Sequence, residues 1–185
     1  MAESTTGKLL VATPAISDGI FDQAVVFMLH HDPVGALGVI INDPADLPVE
    51  ELLPRWTDLL VTPSSLFTGG PVEPNGFIGV GRLAPGAEPD SYCSRIGDAG
   101  LVTVDLDADA RLVAGTVDRL RVFRGYAGWS PGQLDGELVA GAWFVLDDAE
   151  DLWTDEPTTL YERVLRRQNS DVRWFANAPT DPSVN

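Results

Sequence analysis

Residues 123–134 read Phe-Arg-Gly-Tyr-Ala-Gly-Trp-Ser-Pro-Gly-Gln-Leu, and the rest of the chain is best read outward from them. Glycine permits positive φ or close approach of another backbone, so Gly125, Gly128 and Gly132 predict a loop whose path is tightly specified. Ser130 followed three residues later by Gln133 is a capping-box spacing, and Pro131 suits a first helical position, where a missing N–H costs nothing. The stretch therefore predicts a glycine-rich loop that holds Tyr126 and Trp129 against the start of a helix running to about Gly141.

Upstream, Leu120 and Val122 alternate with Arg119 and Arg121, which predicts a half-buried strand leading into that loop. Lys8–Ala12 reads as a first strand stopped by Thr13-Pro14. Ala24–Leu29 is continuously apolar, the mark of a strand covered on both faces. His30-His31-Asp32-Pro33 is expected to break it before Ala36–Ile41 resumes, making a hairpin. Pro48–Leu53 reads as a short helix, and Gly69-Gly70-Pro71 as a sharp turn. Phe77–Leu83 and Leu101–Leu106 read as strands, the former with Gly79 and Gly81 placed for close packing. Asp107–Ala114 fits a short helix with Leu112 and Val113 inward, and Ala142–Leu146 a further strand. A last helix spans about Pro157–Gln168 and carries an apolar stripe of Leu160, Tyr161, Val164 and Leu165, with Arg166 and Arg167 in its last turn. The expectation is a mixed α+β domain of roughly seven strands and four or five helices over residues 8–175, between flexible tails at 1–7 and 176–185.

The chain has 185 residues, enough for one real core, and carries 28 acidic against 12 basic residues for a net charge of −16. That field argues against direct nucleic-acid or acidic-membrane binding, both of which need clustered Lys and Arg. Cys93 is the only cysteine, so no intrachain disulfide forms. The start has neither a basic n-region nor an apolar h-region, and no apolar run approaches the roughly 20 residues of a membrane span. The expected location is the cytoplasm, with no membrane association.

Four segments together resemble one family. They are Leu-Leu-Val-Ala-Thr-Pro with Asp18 and Phe21 behind it, His31 running into Gly35-Ala36-Leu37-Gly38-Val39-Ile40-Ile41-Asn42, Gly69-Gly70-Pro71-Val72, and Gly125-Tyr126-Ala127-Gly128-Trp129-Ser130-Pro131-Gly132-Gln133-Leu134. In this order and spacing the chain resembles the AlgH/YqgE-like family of bacterial proteins over nearly its whole length. The resemblance implies an α+β fold in which a mixed, bifurcated β-sheet curls toward a pseudo-barrel flanked by helices. It implies a fold more than a chemistry, since the family's transcriptional-regulator label carries no DNA-binding motif with it. Many relatives have a cysteine two residues before the histidine that matches His31; here that position is Leu29, so a redox role does not carry over.

No metal-ligand set, nucleophile triad or phosphate loop is visible, so neither a metal nor a cofactor is expected. The two histidines are adjacent, and neighbours on a strand point to opposite faces, which prevents them from sharing a metal. Asp18 in Ile-Ser-Asp-Gly and Asn42 before Asp43-Pro44 suit turn-capping side chains as well as ligand contacts. Gln133 and Glu137 share a helix face, and Tyr126 and Trp129 suit either a pocket wall or a core. Arg119, Arg121, Arg124, Arg163, Arg166, Arg167 and Arg173 would form a basic island if their segments packed together. The leading reading is a non-enzymatic binding or regulatory protein that engages a protein or small molecule through the surface around residues 125–137. An enzyme with a polar cleft of Asp18, His31, Asn42 and Glu137 is the first alternative. A transcriptional regulator, acting indirectly rather than by binding DNA, is the second.

Overall fold

The computed structural model describes residues 3–17 and 19–168. Ten strands form one sheet: β1 Leu9–Ala12, β2 Val25–Asp32, β3 Gly35–Ile40, β4 Pro44–Pro48, β5 Ser65–Thr68, β6 Val72–Leu83, β7 Cys93–Ile96, β8 Leu101–Val104, β9 Val117–Trp129 and β10 Trp143–Leu146. Four short α-helices accompany them: α1 Val49–Leu52, α2 Ala110–Val113, α3 Gln133–Val139 and α4 Leu160–Arg167. The main path runs β10-β1-β2-β3-β9-β6-β8-β7, with β4 and β5 branching off, and it curls into an antiparallel half-barrel. The mixed, bifurcated α+β architecture is thus present, with β5 against β9 as the parallel pair.

The fork lies where the sequence predicted a loop. Residues 123–129 are strand, because β9 continues unbroken through its glycines to Trp129. Below Gly125 the strand pairs with β5 and β6; beyond it, Ala127, Gly128 and Trp129 pair with Gly38, Leu37 and Ala36 of β3. The change of partner happens at a backbone crossing. Gly125 takes φ 67°, and a Cβ there would lie 2.4 Å from the Gly70 carbonyl oxygen. A Cβ on Gly70 would in turn lie 2.2 Å from the Tyr126 carbonyl carbon. Only glycine allows these two segments to pass. The glycine reading was sound, and the loop was the error.

Three apolar clusters fix the layers. Val25, Phe27 and Leu29 of β2 face a core shared with Phe67, Phe123 and the Leu160, Val164 and Leu165 stripe of α4. Val26 and Met28 face the opposite way, onto Leu134 of α3, Trp129 and Trp143. β2 is therefore covered on both faces, as its unbroken apolar run predicts. The third cluster packs α1 and α2 on Val102, Val104, Leu120 and Val122. Within α2, Val113 is buried, but Leu112 is 56% exposed and corrects the inward assignment.

Arg121 is a larger correction. Its alternation predicted a solvated arginine, yet it is 2% exposed, stacked 4.6 Å over the Phe67 ring. Its guanidinium donates to the carbonyls of Leu152, Thr154 and Thr62 at 2.9, 3.0 and 3.0 Å. Burial lowers its pKa to about 10, still far above neutrality, so the interior holds a permanent cation stitched to three carbonyls.

At the other end, residues read from the sequence as a tail make ordered contacts along β2. The Gly7 amide donates to Met28 O at 2.8 Å, and the Thr6 hydroxyl accepts the His31 amide at 2.8 Å. The C-terminal tail at 176–185 lies outside the described residues.

Candidate functional site

β2 carries one extra residue relative to β3. Met28 sits opposite Gly38 and His30 opposite Leu37, leaving Leu29 unmatched in a β-bulge. A one-residue slip reverses the facing of everything beyond it. His30 thereby joins the face of Leu37, and His31 joins that of Ala36, which is the face covered by α3. The strand also runs on to Asp32 rather than stopping at His30, because Asp32 ends it: Asp32 Oδ1 accepts the amides of Val34 and Gly35 at 2.7 and 3.2 Å.

His31 is buried and structural in its contacts. Its Nδ1 lies 3.3 Å from the Thr5 amide and 3.1 Å from the Thr5 hydroxyl. An amide donor there requires Nδ1 to be an acceptor, which puts the proton on Nε2. Nε2 faces Asp135 Oδ1 at 3.5 Å, beyond a good hydrogen bond, and that buried oxygen has no hydrogen-bond partner.

Glu137 is the hub of a second arrangement. Its Oε2 accepts the indole N–H groups of Trp129 at 2.9 Å and Trp143 at 2.8 Å. Its Oε1 accepts from the Gln133 side-chain amide at 3.0 Å, and Gln133 Oε1 takes the Ser130 amide at 3.0 Å. Half of the capping box is therefore made. The other half is not: α3 begins at Gln133, two residues beyond Pro131, and its N-cap Gly132 takes φ 73° with no side-chain cap. Phe21 completes the aromatic group, 6.3 and 6.0 Å from the Trp129 and Trp143 rings.

Asn42 sits elsewhere, clamping the start of β2. Its Oδ1 accepts the Val25 amide and its Nδ2 donates to Gln23 O, both at 2.9 Å. This second bond holds Gln23 at φ 56°, a costly conformation for a non-glycine residue. Asn42 borders a cavity of about 450 Å³ with Asp22, Asp43 and Tyr161. Asp18 lies outside the described residues. The polar cleft of His31, Asn42 and Glu137 is not assembled: each of the three serves a separate clamp.

Four of the arginines are tied up in pairs or in the interior instead of standing free in a basic island. Arg121 is internal, while Arg163, Arg166 and Arg167 pair with Glu156, with Glu162, and with Asp148 and Asp151. Arg173 lies outside the described residues. Among the described residues no group of three or more His, Cys, Asp or Glu side chains could hold a metal, and no helix is long and apolar enough to cross a membrane. Cys93 is buried beside Asp90, and desolvation first, then that carboxylate, raises its pKa to about 11.

A groove of about 620 Å³ lies open where β2, β3, β6 and β9 meet. Val34, Leu37, Val72, Tyr126 and Trp129 supply its apolar surface, and His30, Asp32 and Ser130 its polar groups. His30 Nε2 is 2.9 Å from Asp32 Oδ2. That bond, then the two turn amides, holds the Asp32 carboxyl below its ordinary pKa. The groove contains Tyr126 and Trp129 from the sequence-derived set. Gln133 and Glu137 stand behind Trp129 and set its ring rather than lining the groove. Val34, Leu37, Val72 and His30 were missed as site residues, since nothing local shows that β2, β3, β6 and β9 bring them together.

Comparison with known proteins agrees with this architecture. A family model described as DUF179, AlgH-like, matches residues 9–173. A UPF0301 protein of Streptomyces avermitilis is 45% identical over 187 residues, covering 98% of this chain and 96% of its own length. One from Thermobifida fusca is 41% identical over 190 residues, with 98% and 96% covered. Among solved structures, a protein of Corynebacterium diphtheriae superposes with a TM-score of 0.87 at 29% identity, covering 96% of this chain and 94% of that one. The solution structure of the AlgH protein of Pseudomonas aeruginosa gives 0.68 at 23% identity with 97% of each chain covered, a likeness of fold.

Proposed function

The chain belongs to the AlgH-like family, and we propose that it works as a non-enzymatic, cytoplasmic binding or regulatory protein whose contact surface is the groove at the end of β9. One observation carries the reading. His31, Asn42 and Glu137 are committed to structural bonds, whereas the groove beside them, apolar with His30 and Asp32 at its edge, is left open. A general base must reach a substrate proton; His31 is enclosed by Thr5 and Asp135, and Glu137 already accepts three donors. The cytoplasmic assignment rests on the single, buried cysteine. Any regulatory action is indirect in this reading, because Arg163, Arg166 and Arg167 are held in ion pairs, Arg121 is internal and the net charge is −16.

The test is a thermal-shift screen of metabolites, nucleotides and peptides on the wild type and on Val34→Arg. Val34 is 77% exposed, so the substitution obstructs the groove without touching the core. Ligands that raise the wild-type Tm and leave the variant unmoved support the reading, since binding to the folded state stabilises it by mass action. Ligands that shift both equally bind elsewhere and refute it.

A further inference from the structure

From the chemistry of the groove lining we infer that its occupant is an extended segment of a partner protein in which Arg or Lys is set among apolar residues. The inference rests on the groove being the contact surface, and it adds the kind of partner. An enclosed pocket buries most of a small ligand, as metabolite sites do. This groove is open to solvent along the strand ends, which suits a passing chain better than an enclosed molecule.

Its charge is one-sided. No Lys or Arg lines it, and Asp32 is its one carboxylate. The Asp32 turn and His30 bond keep that carboxylate ionised at the rim. His30 Nε2 is turned to Asp32, and in the neutral form of the ring Nδ1 is a further acceptor. Tyr126, half-buried in the lining, adds aromatic surface of the kind that attracts guanidinium and ammonium groups. The net charge of −16 surrounds all of this and steers cationic segments toward the protein. An acceptor-rich, anionic, partly aromatic groove on an acidic body is complementary to a basic-apolar segment and repels an acidic one.

The experiment is selection from a random dodecapeptide phage library on the full chain, with counter-selection on Val34→Arg. The enriched sequences are then synthesised and titrated by fluorescence anisotropy at about pH 8, above the ordinary histidine range. The expected consensus has one or two Arg or Lys beside aromatic or aliphatic residues. Its Kd should rise by about threefold or more between roughly 0.05 and 0.3 M salt, as screening weakens charge pairing. Asp32→Asn keeps the turn-forming acceptor oxygen and removes the charge, and should weaken binding about fivefold. Groove-dependent peptides that are neutral or acidic, or whose Kd ignores salt and Asp32→Asn, overturn this occupant while leaving the groove as the binding surface. Failure to enrich any peptide that distinguishes wild type from Val34→Arg overturns this occupant. A groove-dependent dimer of the protein itself, found by light scattering and lost in Val34→Arg, would also replace it.

Discussion

Replacing Glu137 by alanine should be among the most damaging single changes on the α3 side of the molecule. The carboxylate accepts both buried indole N–H groups and the Gln133 amide. A hydrogen bond to a charged group is worth about 1.5–3 kcal/mol, so the two indole bonds set an upper range of about 3–6 kcal/mol. Trp129 and Trp143 retain 7% and 6% exposure, so water replaces part of what is lost. The Gln133 bond is exposed and adds little. Alanine also returns a few tenths of a kcal/mol of helix propensity. The expected net loss is about 3 kcal/mol, or about 6–12 °C in Tm for a chain of this size.

The assay is urea denaturation followed by tryptophan fluorescence, which reads the perturbed rings directly. Glu137→Gln is the informative companion. It keeps one acceptor oxygen but turns an amide N–H₂ toward donors, so it should cost about 1–2 kcal/mol, between wild type and alanine. A loss below about 1 kcal/mol for alanine, at an unchanged m-value, would show that Glu137 does not hold the two indoles. Equal losses for Gln and Ala would show that the acceptor geometry is irrelevant, and would sink the account of how Trp129 is positioned at the groove.

Three further outcomes follow from the same structure. Arg121→Met should destabilise by about 3 kcal/mol in thermal or urea unfolding, because three carbonyls lose their donor inside the protein; a change under about 1 kcal/mol contradicts it. Gln133→Ala should cost about 0.5–1 kcal/mol and Ser130→Ala less than about 0.5, since the Ser130 amide, and not its hydroxyl, makes the bond at the α3 entry; the reverse order in urea unfolding restores the full capping box. The Cys93 thiol, with its pKa raised to about 11, should alkylate at pH 8 at least about tenfold more slowly than in the urea-unfolded chain. The raised value also fixes a sign. The folded state holds the thiol proton more tightly, so this contribution is present below the ordinary value of 9.0 and fades as pH rises toward about 11.

What could be read from sequence divides along a physical line. The β2–β3 hairpin and the α4 stripe were legible because apolar periodicity reports local burial, and both occupy the predicted faces. β9 was misread because glycine density signals a loop locally. Gly125 in fact answers to Gly69 and Gly70, more than fifty residues away, since a Cβ on it would lie 2.4 Å from Gly70 O. Arg121 was misread for the same reason, since its acceptors come from residues 62, 152 and 154. β4, β5 and β7 are four or five residues long and made regular by their neighbours, with Cys93-Ser94-Arg95-Ile96 carrying almost no strand signal of its own. The site suffered most. Tyr126 and Trp129 announced themselves as aromatics among glycines, but Val34 and Val72 look like ordinary surface residues until β2, β3, β6 and β9 converge.

The bulge at Leu29 connects these levels. Alternation alone would send His30 to the face of Val26 and Met28, under α3, and His31 to the face of Val25 and Phe27. The extra residue exchanges them. His31 is then enclosed between Thr5 and Asp135, where it ties the chain's beginning to the helix behind the groove. His30 is released to the groove face, where Asp32, fixed by its own turn, orients the ring. One unmatched residue thus decides which histidine is buried and which is exposed at the groove. It also explains why two adjacent residues of the same type resist a common role. The groove's polar edge is a consequence of strand register, so a partner that reads His30 and Asp32 is reading the bulge as much as the side chains.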